Sequence, residues 1–198
     1  MTSIISLMKN FKSLILMFSL VTAGIIILSF GIALFLKPDL MEIMNWTDRK
    51  GFTMNKTQSE KFLQYIINNG VKVPFQMFIL AFIPIQLVYY LPVALTAAVT
   101  GIIFYLPLAP QLQDKMSFFN IFSGVFPHAS IEFLSFCIIS AVLCLLNTAI
   151  RGRLFNKVNS ETGVVNALKK VTIAYCFVAF PMLVIAAFIE AFITPMIA

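Results

Sequence analysis

Charge is scarce in this 198-residue chain. Asp, Glu, Lys and Arg make up 11% of it, against 60% hydrophobic residues and a mean hydropathy of +0.95. A soluble domain is about a quarter charged and about half apolar. A soluble globular fold is therefore excluded, and one integral membrane domain embedded in a lipid bilayer is implied. Acids are scarcer than bases, eight against fourteen, which gives a net charge of +6. In a soluble protein that excess would point to nucleic acid. No nucleic-acid motif and no basic groove lined with aromatics accompanies it here. Basic residues in a membrane protein mark cytoplasmic loops instead, so nucleic acid is not an expected partner.

The residues of common catalytic and metal chemistry are also few. Histidine occurs once, at His128, so any serine–histidine catalysis would have to use that residue. The three cysteines, Cys137, Cys144 and Cys176, lie inside apolar runs without metal-ligand spacing and read as small buried hydrophobes. H-E-x-x-H, G-x-S-x-G and Walker patterns are absent. Asp39, Asp48 and Asp114 all fall in loops, which argues against an intramembrane aspartyl protease. The expectation is a protein that is not an enzyme and needs no cofactor or metal. Internal repeats, low-complexity tracts and Gly/Ser linkers are lacking as well. The first apolar run, Ser13 to Leu36, is about twice the length of a signal h-region and lacks a small-residue cleavage site, so it reads as a membrane span.

What the chain does have is apolar length. A crossing helix needs about 20 mostly apolar residues, and four blocks reach that. The second block, Val73 to Ala109, carries no charge and would make a helix nearly twice as long as a bilayer core is thick. "VYYLPV" lies near its middle. Pro92 disfavours helix at Leu91, and Tyr89 and Tyr90 suit an interfacial belt. The block is therefore expected to be a hairpin of two short spans. The fold class is all-α, a polytopic bundle of about five spans at about 13–36, 73–90, 93–109, 126–149 and 172–193.

Charge asymmetry supports that count. Lys9 and Lys12 precede the first span. The loop 150–171 holds Arg151, Arg153, Lys157, Lys169 and Lys170 against Glu161 alone. Both segments fall on the cytoplasmic side only if the second block counts as two spans. The N-terminus is then cytoplasmic and the C-terminus extracytoplasmic. The loop 37–72, of mixed charge, is extracytoplasmic, and within it 59–69 has the spacing of an amphipathic surface helix.

Of the eight acids, Glu132 and Glu190 lie in membrane blocks, where an ionisable group is expensive and usually faces a bundle interior or a wet cavity. In "PHASIEF", His128 and Glu132 are four apart and share a helix face. Pro127 suits a helix start, which would put both residues in the first two turns of their span. The topology brings them to the same leaflet as Glu190 and Thr194. An outer-leaflet polar cluster of His128, Glu132, Glu190 and Thr194 is expected, with Ser130 as a further partner. Its bland reading is a lock between two spans; its functional readings are a binding crevice, a proton relay or a metal site.

Three stretches then carry a resemblance. "YIINNGVKVPFQMFILAF" (Tyr65–Phe82) resembles a pattern of paired asparagines, a basic residue and an apolar span. "PHASIE" (Pro127–Glu132) resembles P-H-G-x-x-E, and "IEAFITP" (Ile189–Pro195) resembles I-E-x-F-x-T-P. Together they are similar to the stage II sporulation protein M family of bacterial and archaeal membrane proteins. Asn68, Asn69, Pro127, His128, Glu132, Glu190, Thr194 and Pro195 stand at its signature positions. Ala129 replaces the usual Gly, Lys72 stands where Arg is favoured, and "PVALTAAVTG" lacks the Asn-Gly pair of the third span. The resemblance implies a multi-pass protein of the cytoplasmic membrane without activity of its own. It would scaffold or recruit peptidoglycan hydrolases during forespore engulfment. Members in circular bacteriocin clusters imply an alternative, immunity or secretion of a membrane-active peptide beside an ABC transporter. A small transporter or permease subunit is a third reading, and all three allow a homo-oligomer.

Overall fold

The computed structural model describes residues 4–38, 57–110, 117–155 and 163–197, and among them there are helices and no strands. The first helix, α1, is Ile4–Leu36. It stops where Lys37 turns left-handed (φ 46°) and gives its N–H to the Ala33 carbonyl at 2.9 Å, a left-handed helix cap, with Pro38 unable to continue the helix. The second, α2, covers 58–81 as Gln58–Tyr65, Ile66–Lys72 and Val73–Ala81 without interruption. A tight connection at 82–87 follows, ending at Leu87 with φ 68°. The third, α3, is Leu91–Tyr105, extended by single 3-10 turns at Val88–Tyr90 and Leu106–Leu108. The fourth, α4, is Phe118–Leu154. The fifth, α5, covers 164–197 and begins with Val164–Ala174.

Four of these are long and apolar enough to cross a membrane: Met8–Leu36, Val88–Leu108, Phe118–Leu154 and Val164–Met196. The α2 helix is long enough at about 1.5 Å per residue, but Glu60, Lys61, Asn68, Asn69 and Lys72 in its first two thirds dilute its hydropathy. The segment 59–69, expected as a separate surface helix, is the beginning of α2. A capping box opens it: the Thr57 hydroxyl accepts from the Glu60 N–H, and the Glu60 carboxylate accepts from the Thr57 N–H. Phe62 then packs on Phe188 and Phe192 of α5, with ring centroids 6.4 and 5.9 Å away.

Side-chain contacts fix the helix directions. Phe18 and Thr22 meet Tyr90, Gly101 meets Ser29, and Ala33 clusters with Tyr105, so α1 and α3 run parallel. Asn69 meets Glu132 and Ala81 meets Asn147, so α2 and α4 are parallel. Thr194 meets Gly124, and Tyr175 meets Gly70, so α5 is antiparallel to both α2 and α4. Successive helices therefore alternate in direction. One half of the bundle holds the end of α1, the start of α2, the end of α3, the start of α4 and the end of α5. The three described acids, Glu60, Glu132 and Glu190, lie in that half, which we call the acidic half.

The α4 helix runs through the centre. From Phe133 to Leu146 most of its side chains are buried, and they share one core with Phe18, Met77, Tyr89, Val93, Ala174 and Leu183. The α1 helix stands at the rim with an apolar outer face (Leu20 65% exposed, Ile27 69%), the pattern of a helix that meets lipid. Tyr89 and Tyr90 are not belt residues. Both are buried, because Phe18 offers each an aromatic contact and the Tyr90 hydroxyl lies 2.6 Å from Thr22 Oγ1. The helix break falls before them, at 82–87, and Pro92 sits in the first turn of α3, where its missing N–H costs nothing.

Residues 39–56 of the loop 37–72, and the stretch 156–162 of the basic loop 150–171, lie outside the described residues.

Candidate functional site

Proline sets the local geometry of the helices that build the site. It removes one N–H and pushes away the carbonyl four residues before it. Three π-helical segments occur among the described residues: Ile66–Lys72, Tyr175–Ala179 and Ile189–Ile193. Each ends two residues before a proline, namely Pro74, Pro181 and Pro195. In each, the residue just before the proline donates five residues back: Val73 to Asn68, Phe180 to Tyr175, Thr194 to Ile189. The helix thus widens by one residue where a proline would otherwise break the ladder. Asn68 and Asn69 sit in the first of these wide turns and Glu190 in the third, so their side chains are re-aimed relative to a regular helix.

One carbonyl loosened by proline finds a hydroxyl on the neighbouring helix. Gly70, four residues before Pro74, accepts from the Tyr175 hydroxyl at 2.6 Å. Pro127 lies inside α4 rather than at its start, since the helix begins at Phe118. His128 and Glu132 are accordingly in the third and fourth turns, not the first two. Phe118, Phe119, Ile121 and Phe122 make the added length apolar and helix-compatible. Beside the disturbance at Pro127, Gly124 accepts from Thr194 Oγ1 at 3.0 Å.

The cluster forms where α2, α4 and α5 meet. His128 and Glu132 are both buried. His128 Nε2 is 3.9 Å from Glu190 Oε1, and its Nδ1 is 3.4 Å from Thr194 Oγ1. The Gly124 carbonyl, which accepts from Thr194, also lies within reach of the His128 ring, and Nε2 is the ring atom that faces Glu190. Asn69 reaches the Glu132 carboxyl, Tyr65 reaches Glu190, and the two carboxyls are near enough to interact through space. The arrangement is a polar knot inside an apolar bundle, rich in hydrogen-bond donors and acceptors. Among the described residues no group of three potential ligands has metal-binding geometry.

The structure thus brings together His128, Glu132, Glu190, Thr194 and Asn69. Asn68 points elsewhere and accepts from Lys72 on its own helix at 3.1 Å. Pro127 and Pro195 act through backbone geometry. Ser130 is exposed and bonds its own helix, to Phe126 at 2.6 Å, so it is not part of the knot.

Three participants were not singled out by sequence. Tyr65 and Gly124 complete the knot. Asn147 is a separate device: its Nδ2 donates to the Ala81 and Ile83 carbonyls at 3.0 and 2.7 Å, and holds the end of α2 where the chain turns. An uncharged amide in an apolar run does not by itself reveal such a role.

The family model described as "Stage II sporulation protein M" matches residues 13–195, which includes every residue of the knot. Comparison with curated proteins and with solved structures finds no match. With nearly its whole length matched, this chain belongs to the stage II sporulation protein M family.

Proposed function

We propose that this protein is a non-enzymatic, multi-pass scaffold of the cytoplasmic membrane that recruits cell-envelope partners at its acidic half, peptidoglycan hydrolases among them. The observation that carries this reading is the convergence of His128, Glu132, Glu190, Thr194 and Asn69, which also carry the family resemblance, at one junction of three helices. A junction so dense in hydrogen-bonding groups fixes the relative placement of α2, α4 and α5. It thereby fixes the surface from which the 38–57 connection departs.

Thr194 Oγ1 lies 3.4 Å from His128 Nδ1 and donates to the Gly124 carbonyl, a contact that ties the end of α5 to α4. The excess of cations at the opposite half supports an acidic half that faces out of the cell.

The test is affinity purification of the tagged full-length chain from a sporulating strain that makes wall hydrolases. Recovery of such a hydrolase is expected, with recovery reduced for the Glu132→Gln/Glu190→Gln variant at equal membrane levels. Absence of any hydrolase from the purified wild type, in cells where the enzymes are made, would remove the scaffold reading.

A further inference from the structure

Six cations gather at the half opposite the knot. Lys9 and Lys12 lie near the start of α1, Arg151 and Arg153 in the last turn of α4, and Lys169 and Lys170 early in α5. These helix ends pack on one another, and Phe11, Ala149, Ala167 and Val171 belong to one core cluster beneath them. Among the described residues none of the six cations has an ion pair or hydrogen bond, and the three described acids are all in the other half. The basic surface is therefore uncompensated within the described chain.

Its surroundings are apolar. Leu154 and Phe155 (each 61% exposed) follow the arginines, and Val165 (69%) and Leu168 precede the lysines. A purely electrostatic patch for a soluble acidic partner would not need exposed aliphatic and aromatic side chains between its charges. Cations bordered by such side chains at the ends of membrane helices match a phospholipid, phosphate to cation and acyl chain to hydrocarbon.

We infer that this surface is a binding site for anionic phospholipid headgroups, formed jointly by α1, α4 and α5. The inference stands apart from the scaffold reading, since it uses neither the knot nor a protein partner. Each cation near the headgroup layer contributes roughly a fivefold gain in affinity.

Native mass spectrometry of the full-length protein in detergent tests it, with phosphatidylglycerol and phosphatidylcholine titrated separately. Phosphatidylglycerol is expected to bind about tenfold tighter or more. Arg151→Gln/Lys169→Gln is expected to weaken it about fivefold per cation removed. Lys61→Gln/Lys72→Gln, in the other half, is expected to leave it unchanged. Inorganic phosphate at equal concentration should not displace the lipid, because it lacks the chains that the exposed apolar residues meet. Equal affinity for the two lipids would overturn the proposal without recourse to any variant. So would displacement by phosphate, or an equal loss in the Lys61/Lys72 variant.

Discussion

Asn147 is uncharged and lies between Leu146 and Thr148 in the most deeply buried helix, yet it closes a gap no apolar residue can close. The α2 helix ends at Ala81, which is buried, and its last carbonyls have no partner within the helix. Asn147 donates to the Ala81 carbonyl and to that of Ile83 just beyond it. Asn147→Leu keeps the branched shape and removes both donors. We expect it to lower stability by about 1–3 kcal/mol, seen as a fall of several degrees in thermal unfolding of the detergent-solubilised protein. An unchanged midpoint would mean that other donors replace the amide. The ionisable members of the knot were legible in the sequence because burial makes Glu132, Glu190 and His128 expensive wherever they stand in a membrane block. Asn147 and Tyr65 were not, because a neutral amide or phenol is cheap enough that its presence alone singles out nothing. Only the facing backbone gives these side chains a role.

Helices in this protein are shaped by where proline and glycine fall. Pro74 frees the Gly70 carbonyl, and the Tyr175 hydroxyl takes it up. Tyr175→Phe is therefore expected to cost about 0.5–1.5 kcal/mol. In a Pro74→Ala background the helix regains an N–H for Gly70, and the cost of Tyr175→Phe should shrink. A double-mutant cycle on unfolding measures that coupling, and equal costs in both backgrounds would refute the compensation. Glycine permits close approach at the α1–α3 crossing. A Cβ at Gly101 would collide with Ser29 Oγ and the Ile26 carbonyl of α1, while Gly24 and Gly31 face open space. Gly101→Ala should lose roughly 1–3 kcal/mol by overpacking, and Gly24→Ala almost nothing, in the same melting assay. A Ser29→Ala partner change should restore only part of the loss, since the backbone carbonyl stays in place. Sequence alone weights these three glycines equally, because which one lies at the α1–α3 contact is a property of the pairing. The break in the Val73–Ala109 block was legible from its length. Its position at 82–87 was not, because Tyr89 and Tyr90 gain more from Phe18 and Thr22 in the core than from an interface. The start of α2 at Gln58 was equally hidden, since polar Asn68, Asn69 and Lys72 interrupt the apolar pattern without interrupting the helix.

At the scale of the whole molecule the alternating helix directions leave one question of sign, namely which half faces the cytoplasm. The contacts place the start of α1, the turn 82–87, the end of α4 and the start of α5 in one half. That half holds the six cations that are unpaired among the described residues, and basic segments are retained on the cytoplasmic side. Single cysteines introduced for membrane-impermeant labelling, in a background with Cys137, Cys144 and Cys176 replaced, read the answer directly. Positions in 39–56 and 111–116 should label in intact cells. Positions in 156–162, at the turn 82–87 and at the N-terminus should label only after the membrane is opened. The turn is the decisive site, because the α2 helix is too polar to be recognised as a span by hydropathy. Labelling of the turn from outside, with 156–162 still inside, would mean that α2 does not cross and that the knot at Glu132 and Glu190 is built against a helix folded back from the same face. Protection of the turn establishes five crossings. It also places the three-helix knot within the bilayer's outer half, where its hydrogen bonds have no water to compete with and α2, α4 and α5 must move as one unit.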